Sequence, residues 1–297
     1  MDLDDIINME EDLITSKITE INKKLEVFND PKFVFVAETH KYTRGKIKFT
    51  SVTTKIAEFV EKFDSEKKSR EMAFNQLMNE STCEDLYDFD KEIDEKDILR
   101  VQEEILLKWK TEADNSCVLG TAVHLWMEEF FGDTTFSEII DNEVQARIDK
   151  FKKFYDKKLH NKIISVGQEI RVFNTKMKIA GTIDALFIRI SNGKLLLEIW
   201  DYKTNKKICT DDNKRYKKLL APFNDQYENE LNKYSIQLNI YKLILASAGI
   251  LIDGELVIVH VPNIGDPVIY RCKDYIKKLE MYFGVNYYSK LLKSSNQ

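Results

Sequence analysis

The sequence predicts an α/β protein, a mixed central sheet covered by helices on both faces, with a helical N-terminal elaboration. Three observations carry this. Residues 163–203 hold three apolar strand-like runs separated by short turn signals, "NTKMK" and "SNG". Helical patterns bracket them, "CVLGTAVHLWMEEFF" before and "ELNKYSIQLNIYKLILASAG" after. Both faces of the central hairpin are apolar, with Leu186, Ile188, Leu197 and Ile199 on one and Ile183, Phe187, Leu196 and Trp200 on the other. Layers must therefore cover both sides of the sheet.

In chain order, "KFVFVAETHKYTRGKIKFTSVT" reads as a hairpin turning near Arg44-Gly45-Lys46. Helical patterns follow at about 53–63, 66–79, 95–112, 117–131 and 137–158. Strands are expected near 163–173, 178–190 and 194–203, and then a polar loop over 204–229. A helix ending at Gly249, a strand in "GELVIVHV", a short strand at "PVIY" and a last helix over about 272–293 complete the chain. On that last helix Tyr275, Leu279, Tyr282 and Phe283 form a stripe, read as core-facing or as a docking face for a partner such as a helicase. The expected organisation is an N-terminal hairpin and helical region, 1–115, and a core with its C-terminal helix, 116–297.

Composition narrows the function classes. With 43% hydrophobic and 32% charged residues, the 297-residue chain can bury a sizeable core behind a polar surface. No apolar run approaches the 18 residues a membrane span needs, and the start, "MDLDDIINMEEDL", lacks the basic onset of a signal peptide. The four cysteines are scattered with no C-x-x-C pair, which gives no local support for a zinc ribbon and reads as free thiols in a reducing intracellular compartment. A net charge of −5 speaks against nucleic acid, but seven basic against two acidic residues occur in both 203–218 and 147–162. Each run is either a solvated face or a surface for a phosphate backbone.

The hairpin carries the chemistry. If Asn192-Gly193 is a two-residue turn, Ser191 faces Lys194 and Asp184 faces Asp201. Two carboxylates then share a face, which destabilises a sheet unless a positive charge lies between them. Lys203, two residues beyond Asp201, is on that face. Such an oxygen pair suits Mg²⁺ or Mn²⁺. With a turn centred on Thr175-Lys176, Glu169 faces Thr182, diagonal to Asp184, as a third ligand or as half of a structural salt bridge. His124 and Glu128 share a helix face, as do Gln237 and Tyr241.

These residues resemble the PD-(D/E)XK nucleases, specifically the RecB-like exonuclease branch of phages and large DNA viruses. The family's five motifs occur in order as "GTAVH", "QEIRVF", "AGTID", "DYK" and "QLNIY", over about 117–261. The N-terminal "ETHKY" and "SVTTKIAEFVEKFD" are also similar to the start of viral members. The resemblance implies a restriction-endonuclease-like core, antiparallel then parallel strands between helices, and a metal-dependent DNA nuclease acting on single strands or ends. Its implied metal ligands are His124, Asp184, Asp201 and the Tyr202 carbonyl, with Glu169 in the catalytic set and Lys203 placing the water. Gln237 and Tyr241 would contact DNA or support the site. Lys206 and Lys207, with Tyr216 and Phe223, would guide a strand along the basic loop, and the region around Trp109 would narrow the cleft. Relatives with an iron–sulfur cluster use one early and three late cysteines; only Cys272 is late here, so no cluster is expected. The proline that often precedes the first aspartate is replaced by Ile183. The implied partners are DNA and a helicase or replication protein, without a membrane, in the cytoplasm or nucleus of a host cell. A non-catalytic DNA-binding module and an RNA endonuclease are the alternatives.

Overall fold

The computed structural model describes residues 3–36, 39, 41–84, 93–132, 141–210 and 217–295. By packing, the chain divides into two compact units, Met1–Glu61 with Ala122–Gln297, and Lys62–Thr121. The sequence reading draws a boundary at 115–116; here the residues before Lys62 group with the sheet.

The first unit opens with helix α1 (Leu3–Leu25), which sequence inspection does not find. What reads as one N-terminal hairpin is three strands, β1 (Phe33–Val36), β2 (Lys41–Arg44) and β3 (Ile47–Ser51). Gly45, at φ 59°, makes the turn between the last two. Ser51 then caps the short helix α2 (Val52–Ala57), its hydroxyl accepting from the Thr54 N–H at 3.0 Å.

The middle of this unit is β4 (Ile163–Asn174), β5 (Ile179–Ser191) and β6 (Lys194–Lys203), followed by β7 (Leu256–His260) and β8 (Val268–Arg271). Among the described residues these eight strands form one mixed sheet, ordered β1-β2-β3-β5-β6-β7-β8, with β4 pairing β5. The β4–β5 and β5–β6 pairs are antiparallel, and β6–β7 is parallel. Helices cover the sheet on both faces, the restriction-endonuclease-like arrangement. On one face Ile236, Ile240, Leu243 and Ile244 of α6 (Glu230–Ser247) join Leu186, Ile188, Leu197 and Ile199 in a single buried cluster. Each such side chain contributes about 1.5–3 kcal/mol. On the other face Phe131, near the end of α4 (Glu95–Gly132), packs on Phe187 at 4.8 Å, and Phe187 lies 4.9 Å from Trp200. Phe151 of α5 (Asn142–Lys158) meets Tyr202 on that same side.

The second unit contains α3 (Ser65–Glu84) and the first turns of α4, with Ala73, Ile98 and Val101 buried between them. Arg70 pairs with Glu95 at 2.6 Å, and Phe63 touches Trp109 at 5.7 Å.

Two expectations for helices are corrected. The segments 95–112 and 117–131 are one helix, because the intervening "ADNS" contains no proline and the Ser116 hydroxyl is satisfied by the Glu112 carbonyl at 2.7 Å. The last helix is two, α7 (Ile276–Phe283) and α8 (Tyr287–Ser295), because Gly284 adopts φ 62° and ends the first. The expected stripe lies wholly before this break and is only partly core-facing: Tyr275 and Leu279 are core, whereas Tyr282 is 41% exposed. Among the described residues no helix is long and apolar enough to cross a membrane.

Candidate active site

The site begins at a turn 25 Å or so of strand away, on the order of eight residues at about 3.3 Å each. Asn192 at φ 50° and Gly193 at φ 68° form the tight turn expected of that pair. It fixes the β5–β6 register from Ser191↔Lys194 down to Ala185↔Trp200. One step further Asp184 comes opposite Asp201, and there the ladder stops. The Tyr202 N–H is donated at 2.9 Å to the Asp184 carboxylate, so a side chain replaces the backbone rung.

The sheet forks at this point. Along the edge of β5 that faces β6, β3 pairs only with Ile179 and Ala180, while β6 pairs from Ala185 onward. Gly181–Asp184 lie in the opening. Gly181 is required by its neighbour: a Cβ there would stand 2.8 Å from the Tyr241 ring and hydroxyl and 3.0 Å from Val52. Tyr241 itself is buried.

Glu169 arrives by a different register from the expected one. The β4–β5 loop is the four-residue turn 175–178, with Lys178 at φ 54°, and not a pair centred on Thr175-Lys176. Thr182 consequently pairs with Arg171, and Glu169 falls between Gln168↔Ala185 and Ile170↔Ile183, across from Asp184. A bulge between Ser165 and Gly167 also bends this strand. Glu169 has φ 48°, a left-handed conformation uncommon for glutamate that costs about 1–3 kcal/mol and turns its side chain out of the alternation.

His124 completes the group from α4. Its Nδ1 lies 3.5 Å from Asp184 Oδ2 and 3.9 Å from Glu169 Oε1. Its Nε2 is 2.9 Å from the Tyr202 carbonyl, which can only accept, so that nitrogen carries hydrogen and Nδ1 faces the carboxylates. Ligand atoms of His124, Glu169 and Asp184 all lie within 4.8 Å of one another. Asp201, 1% exposed, is held beside them: Gln237 donates to its Oδ1 at 2.8 Å, and the Lys203 ammonium is 2.5 Å from Oδ2. That Oδ2 makes no hydrogen bond of normal geometry.

The charges of the group depend on one another. Burial works against a protonated His124, yet the Asp184 charge and the nearby Glu169 carboxylate overcome it and raise the imidazole to about 9. Burial pushes the Asp201 carboxyl up to about 6 despite Lys203. Burial also opposes charge on Lys203, but Asp201 and Asp184 outweigh it and raise the ammonium further. The carboxylates therefore draw a proton onto the ring that faces them. Two carboxylates and an imidazole nitrogen fixed by a backbone acceptor suit a divalent cation.

The expected ligand set and the geometric group overlap in His124 and Asp184. Glu169 is the third member of the close group, while the Tyr202 carbonyl accepts from His124 and Asp201 is engaged by Gln237 and Lys203. Glu128, a turn beyond His124, is exposed. Gln237 and Tyr241 are both buried, Gln237 against Asp201 and Tyr241 against Gly181. Lys206 and Lys207 are exposed beyond the end of β6. Phe223 cannot stack on a strand: it is fully buried between Phe59 and Tyr275. Tyr216 lies outside the described residues, as do Glu38 and His40 of "ETHKY". The basic run on α5 is also partly engaged within the fold, since buried Arg147 binds the carbonyls of Thr204 and Val261. Sequence reasoning missed Tyr234, whose ring lies 4.9 Å from the Lys203 ammonium; its spacing of three from Gln237 was the available signal.

A family model for the PD-(D/E)XK nuclease superfamily matches residues 97–281, which take in His124, Glu169, Asp184, Asp201, Lys203, Gln237 and Tyr241. No curated protein matches the chain.

Proposed function

The chain belongs to the PD-(D/E)XK nuclease superfamily, and on that premise we propose that it is a Mg²⁺- or Mn²⁺-dependent deoxyribonuclease. In this reading it is an exonuclease of the RecB-like kind, acting on single strands or DNA ends in replication, recombination or repair. The observation that carries it is the Lys203 ammonium 2.5 Å from Asp201, on the strand that faces Asp184 of the His124–Glu169–Asp184 group.

His124 Nδ1, Glu169 and Asp184 would hold the cation, with Asp201 and the Tyr202 carbonyl as the further ligands this reading assigns. When bound, the metal supplies Lewis-acid charge to the scissile phosphate and acidifies a water. Lys203 keeps its proton, because the carboxylates raise its affinity for one. It therefore serves as a donor to the attacking water or a phosphate oxygen and stabilises the charge that builds at phosphorus, not as the base. Water adds to phosphorus, the P–O ester bond breaks, and a phosphomonoester and a hydroxyl end leave. Gln237 holds Asp201, and Tyr241 packs against Gly181 in the fork; burial favours these supporting roles over contact with DNA. Lys206 and Lys207, exposed shortly beyond Lys203 in the chain, would meet the backbone of a strand. A helicase or replication protein is the partner class this activity would serve.

The test is cleavage of separately end-labelled single-stranded and duplex DNA with Mg²⁺ or Mn²⁺, wild type beside Asp201→Asn and Lys203→Ala. Metal-dependent degradation lost in both variants, with DNA binding kept, is the expected result. Binding without cleavage by wild type would make the protein a non-catalytic module, and preferential cleavage of RNA of the same sequence would make it an RNA endonuclease.

A further inference from the structure

We propose that Tyr234 is a positioning residue that aims the Lys203 ammonium, an inference that rests on the nuclease reading and deepens it. Lysine is a poor fixed point: its four-carbon stem rotates freely, and the compact ammonium binds equally well over a range of directions. A reaction that needs Lys203 at one place requires something besides Asp201 to hold it, since Asp201 divides its charge among its neighbours. Tyr234 provides a second restraint of a different kind. Its ring lies 4.9 Å from Nζ, within cation–π reach, at a lysine whose side chain is only 18% exposed.

The ring is itself braced. Tyr234 stands three residues before Gln237 on α6, so the two side chains reach the end of β6 together, one to Lys203 and the other to Asp201. The Tyr234 hydroxyl donates to the Asn205 side-chain carbonyl at 3.1 Å. The chain leaving Lys203 is then tied down by two nearly buried groups from other elements. Arg147 of α5 donates to the Thr204 carbonyl at 3.2 Å, and the His260 imidazole of β7 meets the Asn205 carbonyl at 2.7 Å. The Val261 N–H donates to the Lys203 carbonyl at 2.8 Å, which locks the same turn to β7. Backbone and ring are thus fixed to one another across Asn205, and the lysine is held at its root and at its tip.

The experiment compares wild type, Tyr234→Phe and Tyr234→Leu. Phe keeps the ring, whereas Leu removes it at similar bulk. For Leu, kcat is expected to fall about tenfold or more with KM for DNA and affinity for Mn²⁺ unchanged, and Phe is expected to stay within about threefold of wild type. A raised KM with kcat intact would make Tyr234 a substrate contact and overturn the assignment. Unchanged kinetics in Leu, or a Phe variant as poor as Leu, would also overturn it. A second readout does not depend on cleavage: NMR of the Lys203 ε-methylene protons. A ring-current shift present in wild type and Phe and lost in Leu supports the geometry even if the wild-type protein cleaves nothing, which would instead overturn the nuclease reading. Absence of that shift in wild type defeats the proposal by itself.

Discussion

Two hairpins share strand β5, and they differ in how firmly their turns dictate what meets across them. The β5–β6 turn is Asn192-Gly193, both residues in the left-handed region, and the register follows without slack to Ala185↔Trp200. The β4–β5 turn is "TKMK", which tolerates more than one geometry; its four residues end on a strained Lys178, and the strand beyond contains a bulge. The first hairpin delivers Asp184 and Asp201 through regular strand. The second delivers Glu169 only by bending the backbone at Glu169 itself. Regular pairing transmits a turn's choice over eight residues, whereas a weak turn leaves the register to tertiary packing.

That difference predicts unequal catalytic roles. Asp184 lies between His124 and the Tyr202 N–H and anchors the fork, so Asp184→Asn should reduce metal-dependent cleavage by about a thousandfold and weaken Mn²⁺ binding in a direct titration. Glu169→Gln, on the adaptable strand, should lose about a hundredfold and remain measurable. Equal losses would show that the strained arm matters to cleavage no less than the regular one. Gly181→Ala tests the fork between them. The new methyl would meet the buried Tyr241 ring at 2.8 Å, with an overpacking cost of about 1–3 kcal/mol. The expected readout is a lower melting temperature together with reduced cleavage, and a further Tyr241→Phe change, which removes one of the two clashing atoms, should restore part of both.

Legibility in the sequence follows the same division. The sheet, the order of its three central strands and the Asp184–Asp201–Lys203 face could be read because they depend on period-two alternation and one Asn-Gly turn. Glu169 could be named but not placed, since its position depends on a four-residue turn in place of the expected two-residue one and on a left-handed backbone at Glu169 itself, neither of which carries a sequence signature. The N-terminal strands were half visible: turn residues marked Gly45, but nothing local shows that β3 runs parallel to β5 and opens the fork. Phe223 illustrates the reverse error. An aromatic among lysines looks like a stacking platform, yet only the fold reveals that Phe59 and Tyr275 enclose it.

A smaller effect separates the shared histidine from both hairpins. His124 is raised to about 9 from an ordinary value of 6.5, so its proton binds more tightly in the folded protein than in the unfolded one. In metal-free protein that contribution to stability is fully present below about pH 6.5 and is lost as the pH rises through about 9. Melting curves should therefore lose stability across this window in wild type, and His124→Gln should not share that part of the slope. Metal binding has the opposite sign. A cation needs the neutral ring, so Mn²⁺ affinity should rise with pH toward about 9, with a proton released on binding, and His124→Gln should flatten that rise.

The smallest effects compare the turns themselves. Gly193→Ala places a Cβ on a residue at φ 68°, which should cost about 1 kcal/mol and lower the melting temperature by about 2–4 °C. Lys178→Gly relieves a similar strain at φ 54° in the other turn, but the unfolded chain gains freedom with the new glycine, and the two terms nearly cancel. The net change should stay within about 0.5 kcal/mol, so one turn residue matters and the other hardly does. If Lys178→Gly also left cleavage unchanged while Gly193→Ala reduced it, the carboxylate pair would depend on the Asn-Gly turn, and Glu169 would be held by contacts around the bulge rather than by the loop that precedes β5.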